Sequence, residues 1–61
     1  MKIIVGNYYV IKSPHSKYDG MSCKILRQFS PEGYMFDALL DGLRITVCKD
    51  YLEEPLFYVP I

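Results

Sequence analysis

The sequence predicts an all-β domain in which five short strands form one small barrel. Apolar residues recur at every second position, β-branched and aromatic types are frequent, and turn-forming pairs divide the chain into short pieces. A chain of 61 residues has room for one hydrophobic core. We therefore expect a single domain over residues 1–61, with its function on the outer surface rather than in an internal cleft.

Turn signals set the boundaries of the strands, and they lie at Ser13-Pro14, at Asp19-Gly20, over residues 30–33 and at Asp41-Gly42. The predicted strands cover residues 3–12, 21–29, 34–40, 43–48 and 56–59. Strands three and four should form a hairpin, because Asp41-Gly42 suits the positive φ angles of a two-residue type I′ turn. Residues 49–52 should form a single 3-10 turn before the last strand.

Alternation along each strand predicts which side chains face the core. On strand two, Cys23 and Ile25 should point inward, while Lys24, Leu26 and Gln28 point outward. On strand one, Tyr9 and Ile11 compete with Tyr8 and Val10, and the pattern does not decide between the pairs. Leu52 should cover the open end of the barrel. The core positions expected on strands three and four are Tyr34, Phe36, Ala38, Leu40, Leu43, Ile45 and Val47.

Composition and charge narrow the classes of function. The chain is 51% hydrophobic and 15% aromatic, which is too apolar for a disordered protein. No apolar run approaches the roughly 20 residues of a membrane span. Two cysteines and no cleavable leader predict a cytoplasmic protein with reduced thiols. The net charge is zero, which weighs against a protein that mainly grips a phosphate backbone. Residues 1–30 nevertheless carry five cations against Asp19 alone, so one face could be basic.

Chemistry-bearing residues are sparse. His15, Cys23 and Cys48 are the only soft metal ligands, and they lack the close pair spacing of a zinc site. A cysteine–histidine nucleophile pair would need an orienting third group, which the sequence does not supply. We expect no metal, no cofactor and no catalytic residue.

The order of these signals resembles the small SH3-like β-barrels, especially the KOW type. The resemblance runs from Gly6-Asn7 and the alternating Tyr9 and Ile11, through Gly20, to the Asp-Gly hairpin and the turn before the last strand. It implies a five-stranded SH3-like barrel with a single 3-10 turn. Ribosomal and transcription-factor KOW domains bind nucleic acid, but Cys23 stands where their second glycine is common, and the net charge is zero. Free-standing barrels of small bacterial and phage proteins serve as inhibitors or adaptors.

Two surfaces are candidates for binding a partner. The first is the polar loop of residues 12–20, because loops held by a rigid barrel often bind partners. The alternative interpretation of this loop is a solvent-exposed connection in which Tyr18 covers the open end of the barrel. The second is the apolar segment of residues 55–61, whose alternative is a plain fifth strand that covers the core.

These observations predict a non-enzymatic protein-interaction module, with a KOW-like RNA- or DNA-binding domain that uses a basic patch as the alternative. We expect a protein partner first and nucleic acid second, no membrane, and a homodimer as a further option. The residues expected to contact the partner are Tyr8, Lys12, His15, Lys17, Tyr18, Lys24, Arg27, Phe57 and Tyr58.

Overall fold

A computed structural model describes residues 1–55, which form five antiparallel strands curled into a half-barrel, with one 3-10 turn. The strands are β1 (Tyr8–Ile11), β2 (Ser22–Gln28), β3 (Met35–Leu40), β4 (Leu43–Cys48) and β5 (Leu52–Glu53), and the 3-10 turn is Lys49–Tyr51. They lie in the order β4-β3-β2-β1-β5. The all-β prediction and the 3-10 turn are confirmed. No helix in this part of the chain is long and apolar enough to cross a membrane.

The structure has a strand, β5, at a position where the sequence predicts none. Leu52 was expected in the turn, but it lies in β5 and pairs with Ile11 of β1, while Glu53 pairs with Val10. The backbone of Leu52 is extended, which ends the 3-10 turn at Tyr51. The strand predicted over residues 56–59 lies outside the described residues.

The hairpin between β3 and β4 has the predicted geometry. Asp41 and Gly42 both have positive φ angles, 48° and 82°, and Leu40 pairs directly with Leu43. Two positive φ angles are the signature of the type I′ turn, whose twist matches that of the strands it joins. The hairpin thereby fixes the register of β3 and β4 along their whole length.

Two irregularities bend the sheet around Ile25. On one side, the Gly6 N–H donates to the Ile25 carbonyl (2.8 Å) and the Ile25 N–H donates to the Asn7 carbonyl (3.0 Å), so two residues oppose one. Gly6 takes a φ of 93° there, a conformation that glycine adopts without strain. On the other side, the register between β2 and β3 shifts between Ile25 and Arg27. This bulge moves Arg27 onto the outer face, which simple alternation does not predict.

The core lies on the concave side of the curled sheet. Tyr9 and Ile11 are buried, which settles the choice that the sequence left open on strand one. Cys23 and Ile25 are buried on β2, as predicted. The remaining buried apolar side chains are Phe36, Ala38, Leu40, Val47 and Leu52, and Ile45 packs against them.

Two of the expected core residues are exposed instead. Tyr34 is 54% exposed because it precedes β3, and its ring lies 5.9 Å from the Lys49 ammonium. Leu43 is 48% exposed because it begins β4, an edge strand, right after the turn. The opposite error concerns Asp37, which alternation places on the outer face and which is buried there.

Candidate partner-binding face

Three neighbouring strands, β2, β3 and β4, carry polar and charged side chains on the side opposite the core. Lys24 pairs with Leu39, and Leu39 pairs with Arg44, so one row crosses all three strands. Two residues along β3, a second row joins Arg27, Asp37 and Thr46. Each row is about 10 Å wide, and the rows lie about 7 Å apart, as strand geometry requires. We call these six residues the outer-face patch: Lys24, Arg27, Asp37, Leu39, Arg44 and Thr46.

Asp37 occupies the centre of the second row. The Arg27 Nε–H donates to its Oδ2 at 2.6 Å, and the Thr46 hydroxyl donates to its Oδ1 at 3.5 Å. The Asp37 side chain is 8% exposed, whereas that of Arg27 is 68% exposed. Within residues 1–55, the terminal nitrogens of Arg27 have no hydrogen-bond partner. The ion pair therefore holds the base of the guanidinium and leaves its outer end in solvent.

The outer-face patch is positively charged although the chain as a whole is neutral. It contains Lys24, Arg27 and Arg44 against Asp37 alone, and the carboxylate of Asp37 is already paired. Neither Lys24 nor Arg44 forms an ion pair with any described residue. Lys24 lies within about one Debye length (~8–10 Å) of both Arg27 and Arg44, so its potential adds to theirs at the surface.

Tyr8 lies one strand beyond the patch. It pairs with Lys24 across β1 and β2 and is 59% exposed. Its ring can extend the row of Lys24, Leu39 and Arg44 at the β1 end. Because the sheet curls, the outward direction at β1 differs from that at β4. A single flat partner surface therefore cannot contact both Tyr8 and Arg44 fully.

The loop of residues 12–20 is an internally bonded structure. The Ser13 N–H donates to the Asp19 carboxylate at 2.8 Å, and the Tyr18 N–H donates to the Ser16 hydroxyl at 3.0 Å. Tyr18 packs against the core, as the alternative for this loop proposed, and Lys17 Nζ lies 5.2 Å from its ring centroid. Three of the predicted contact residues remain exposed along the loop: Lys12, His15 and Lys17.

A small cleft of about 130 Å³ separates this loop from β4 and the 3-10 turn. Tyr18, Cys48 and Tyr51 line it together with serines of the loop. No charged side chain lines it, so the cleft suits an uncharged group of about side-chain size. The structure thus separates the predicted contact residues into the loop beside this cleft and the basic pair Lys24 and Arg27 on the sheet. Phe57 and Tyr58 lie outside the described residues.

The two thiols and His15 lie in different environments. Cys23 is buried in the core, where desolvation raises the pKa of its thiol, and Cys48 is half-buried. His15 is exposed in the loop. Over residues 1–55, no three histidine, cysteine or carboxylate side chains group as a metal site.

The contact residues predicted from the sequence include Lys24 and Arg27, which lie in the outer-face patch, but they do not include Arg44 and Asp37. Arg44 could have been found by counting outward from the Asp41-Gly42 turn, which places it opposite Leu39. Asp37 had a signal of its own, since it is the one charged residue in the apolar β3 sequence MFDALL. A charge in such a run must find a partner, because an unpaired buried carboxylate is costly.

No protein-family model matches the chain, and neither does any curated protein or solved structure. Family and function are therefore inferred from the strand arrangement and from the chemistry of the exposed faces.

Proposed function

We propose that this chain is a cytoplasmic SH3-like barrel of the KOW type that acts as a non-enzymatic interaction module and docks a protein partner. The short connection between the two edge strands of the sheet supports the barrel assignment. β4 and β5 are the edge strands, yet only the three residues Lys49–Tyr51 join them. So short a connection requires the sheet to curl until its edges approach each other. The 3-10 turn and the Asp-Gly hairpin also agree with the resemblance.

The binding function rests mainly on the outer-face patch. Its cations stand on hydrogen-bonded strands rather than on a loop, so little backbone entropy is lost when a partner docks. Arginine is enriched among the residues that dominate protein interfaces, and Leu39 supplies an apolar contact beside Arg44. A small free-standing module of this kind fits the role of an adaptor or inhibitor.

The neighbours of the cations favour a protein over a nucleic acid. Leu39 lies between Lys24 and Arg44, and the half-buried Leu26 occupies the bulge beside Arg27. Aliphatic side chains have no aromatic face on which a base could stack, and the exposed ring of Tyr8 lies one strand beyond the patch. They are ordinary contacts in a protein interface.

Charge reversal tests this proposal directly. The immobilised chain is used to capture proteins, and each captured protein is identified and its affinity measured with purified components. Replacing Lys24 and Arg44 together by Glu should weaken binding at least about tenfold, since close charge pairs at interfaces carry at least about 1.5 kcal/mol. The matched variant replaces Lys12 and Lys17 of the loop by Glu, so the change in net charge is the same.

Both double variants should keep the unfolding midpoint of the wild type, because all four lysine and arginine side chains lie outside the core. If the loop variant loses the partner and the sheet variant keeps it, the loop is the docking surface. If neither variant changes the affinity, the proposal that these surfaces bind is wrong.

A KOW-like nucleic-acid-binding domain is the second candidate. It is favoured by the position of Lys24, Arg27 and Arg44 on one face, with Lys12 and Lys17 available on the loop. Three phosphate contacts would give a slope of about −2.7 in a plot of log affinity against log salt on duplex DNA. A flat salt response, or no binding at low salt, excludes this candidate.

A further inference from the structure

The carboxylate of Asp37 would work against binding if the outer-face patch attracted its partner by charge alone. An acidic residue at the centre of a basic face lowers its positive potential. Asp37 is also nearly buried, so it cannot be a contact residue for the partner. Instead, Asp37 accepts a hydrogen bond from the Arg27 Nε–H and so acts on the position of that arginine.

A guanidinium has two edges that can take a carboxylate through two parallel hydrogen bonds. One edge includes Nε, and Asp37 occupies Nε at 2.6 Å. The other edge is formed by the two terminal nitrogens, which have no hydrogen-bond partner among residues 1–55. Because the Arg27 side chain is 68% exposed, this second edge faces solvent.

We propose that Asp37 is a positioning residue that fixes Arg27 so that its terminal nitrogens receive a carboxylate of an acidic protein segment. Lys24 and Arg44 lie in the neighbouring row of the patch and supply attraction for further acidic side chains. This inference rests on the proposed function and adds the chemistry of the partner. The alternation of cations with Leu39 and Leu26 indicates a segment that carries apolar residues beside its acids.

The probe for this inference is a short oligoglutamate peptide, titrated into isotope-labelled protein at low salt. Binding is followed by the NMR signals of the backbone amides and of the Arg27 Nε–H. The wild type should shift the amides of β2, β3 and β4 and the Arg27 side-chain signal. A thymidine oligonucleotide of equal charge is titrated in parallel.

Removal of Asp37 separates positioning from charge, because the two effects have opposite signs. Asp37→Ala makes the face more positive, so an effect of charge alone would tighten peptide binding. Loss of the oriented guanidinium should instead weaken binding about three- to tenfold. Glu32→Ala is the matched control, since it removes one exposed acid outside the patch. It should leave the affinity equal or slightly higher.

Arg27→Lys gives a second, independent readout. It keeps the positive charge but replaces the fork with a single ammonium, which cannot make two parallel bonds. We expect it to weaken peptide binding as much as Asp37→Ala does, with the amide spectrum otherwise that of the folded wild type.

Three results would overturn the inference. Asp37→Ala could bind the peptide as tightly as Glu32→Ala, which would show that the face acts by net charge. The oligonucleotide could bind more tightly at the same residues, which would make nucleic acid the occupant. The wild type could fail to bind the peptide at all, and the capture experiment with charge-reversed variants would then decide the proposed function separately.

Discussion

Leu40 and Leu43 provide a test in which the same substitution should have two different costs. They flank the Asp41-Gly42 turn and pair directly across β3 and β4. Alternation predicts that both belong to the core. The structure buries Leu40, which is 3% exposed, and leaves Leu43 48% exposed.

The expected magnitudes follow from that difference. Leu40→Ala removes a fully packed side chain and should cost about 2–5 kcal/mol, the sum of lost burial and the cavity left behind. Leu43→Ala should cost about 1 kcal/mol or less, because half of its side chain already contacts water. A domain of this size has a total stability of only roughly 3–9 kcal/mol, so Leu40→Ala could leave the protein largely unfolded.

Urea unfolding measures both costs, with Leu40→Val and Leu43→Val as milder versions that remain folded. With a slope of about 1 kcal/mol per molar urea, the Leu40→Val midpoint should fall by about 1 M. The midpoint of Leu43→Val should move by a few tenths of that. Equal shifts at the two positions would refute the burial difference and return Leu43 to the core.

Three further predictions concern the turn, the N-terminal segment and the buried thiol. Gly42→Ala should cost about 1–2 kcal/mol in urea unfolding, because the φ of 82° strains a side chain that otherwise meets open space. Tyr9→Phe should cost about 0.5–1.5 kcal/mol and speed amide exchange at Ile4, whose N–H donates to the Tyr9 hydroxyl at 2.9 Å. Burial raises the pKa of Cys23, so the unfolded chain loses that proton first and the protein should lose stability as the pH rises above about 9. Urea midpoints measured across that pH range should decline less steeply in Cys23→Ala.

Local signals explain why so much of the fold is predictable from the sequence. Asp41-Gly42 specifies its own turn, and that turn fixes the pairing of β3 with β4 without any distant contact. The burial of Cys23 and Ile25 likewise follows from alternation within one strand. Such features depend on neighbours in the chain, which a reader of the sequence can see.

The features that escaped prediction depend on contacts between distant segments. Arg27 was expected to contact a partner, but the bulge after Ile25 that places it on the outer face has no signal in the local sequence. Exposure of Tyr34 depends on where β3 begins, one residue later in the chain. The patch combines Lys24 of β2 with Arg44 of β4 through Leu39, so finding it requires the registers of two strand pairs at once.

Zero net charge constrains how the outer-face patch can select a partner. Long-range electrostatic steering of a partner depends on the field of the whole protein. In this chain the six acids of residues 31–61 offset the positive field of its cations. A neutral protein must therefore recognise an acidic segment at short range, where the geometry of the donors matters more than their number. The carboxylate of Asp37 lowers the net positive charge of the patch by one, and it holds Arg27 in a fixed orientation. Losing charge to gain orientation favours binding only if the partner is recognised through directed hydrogen bonds. The sign of the Asp37→Ala effect on affinity therefore distinguishes recognition by oriented donors from attraction by net charge.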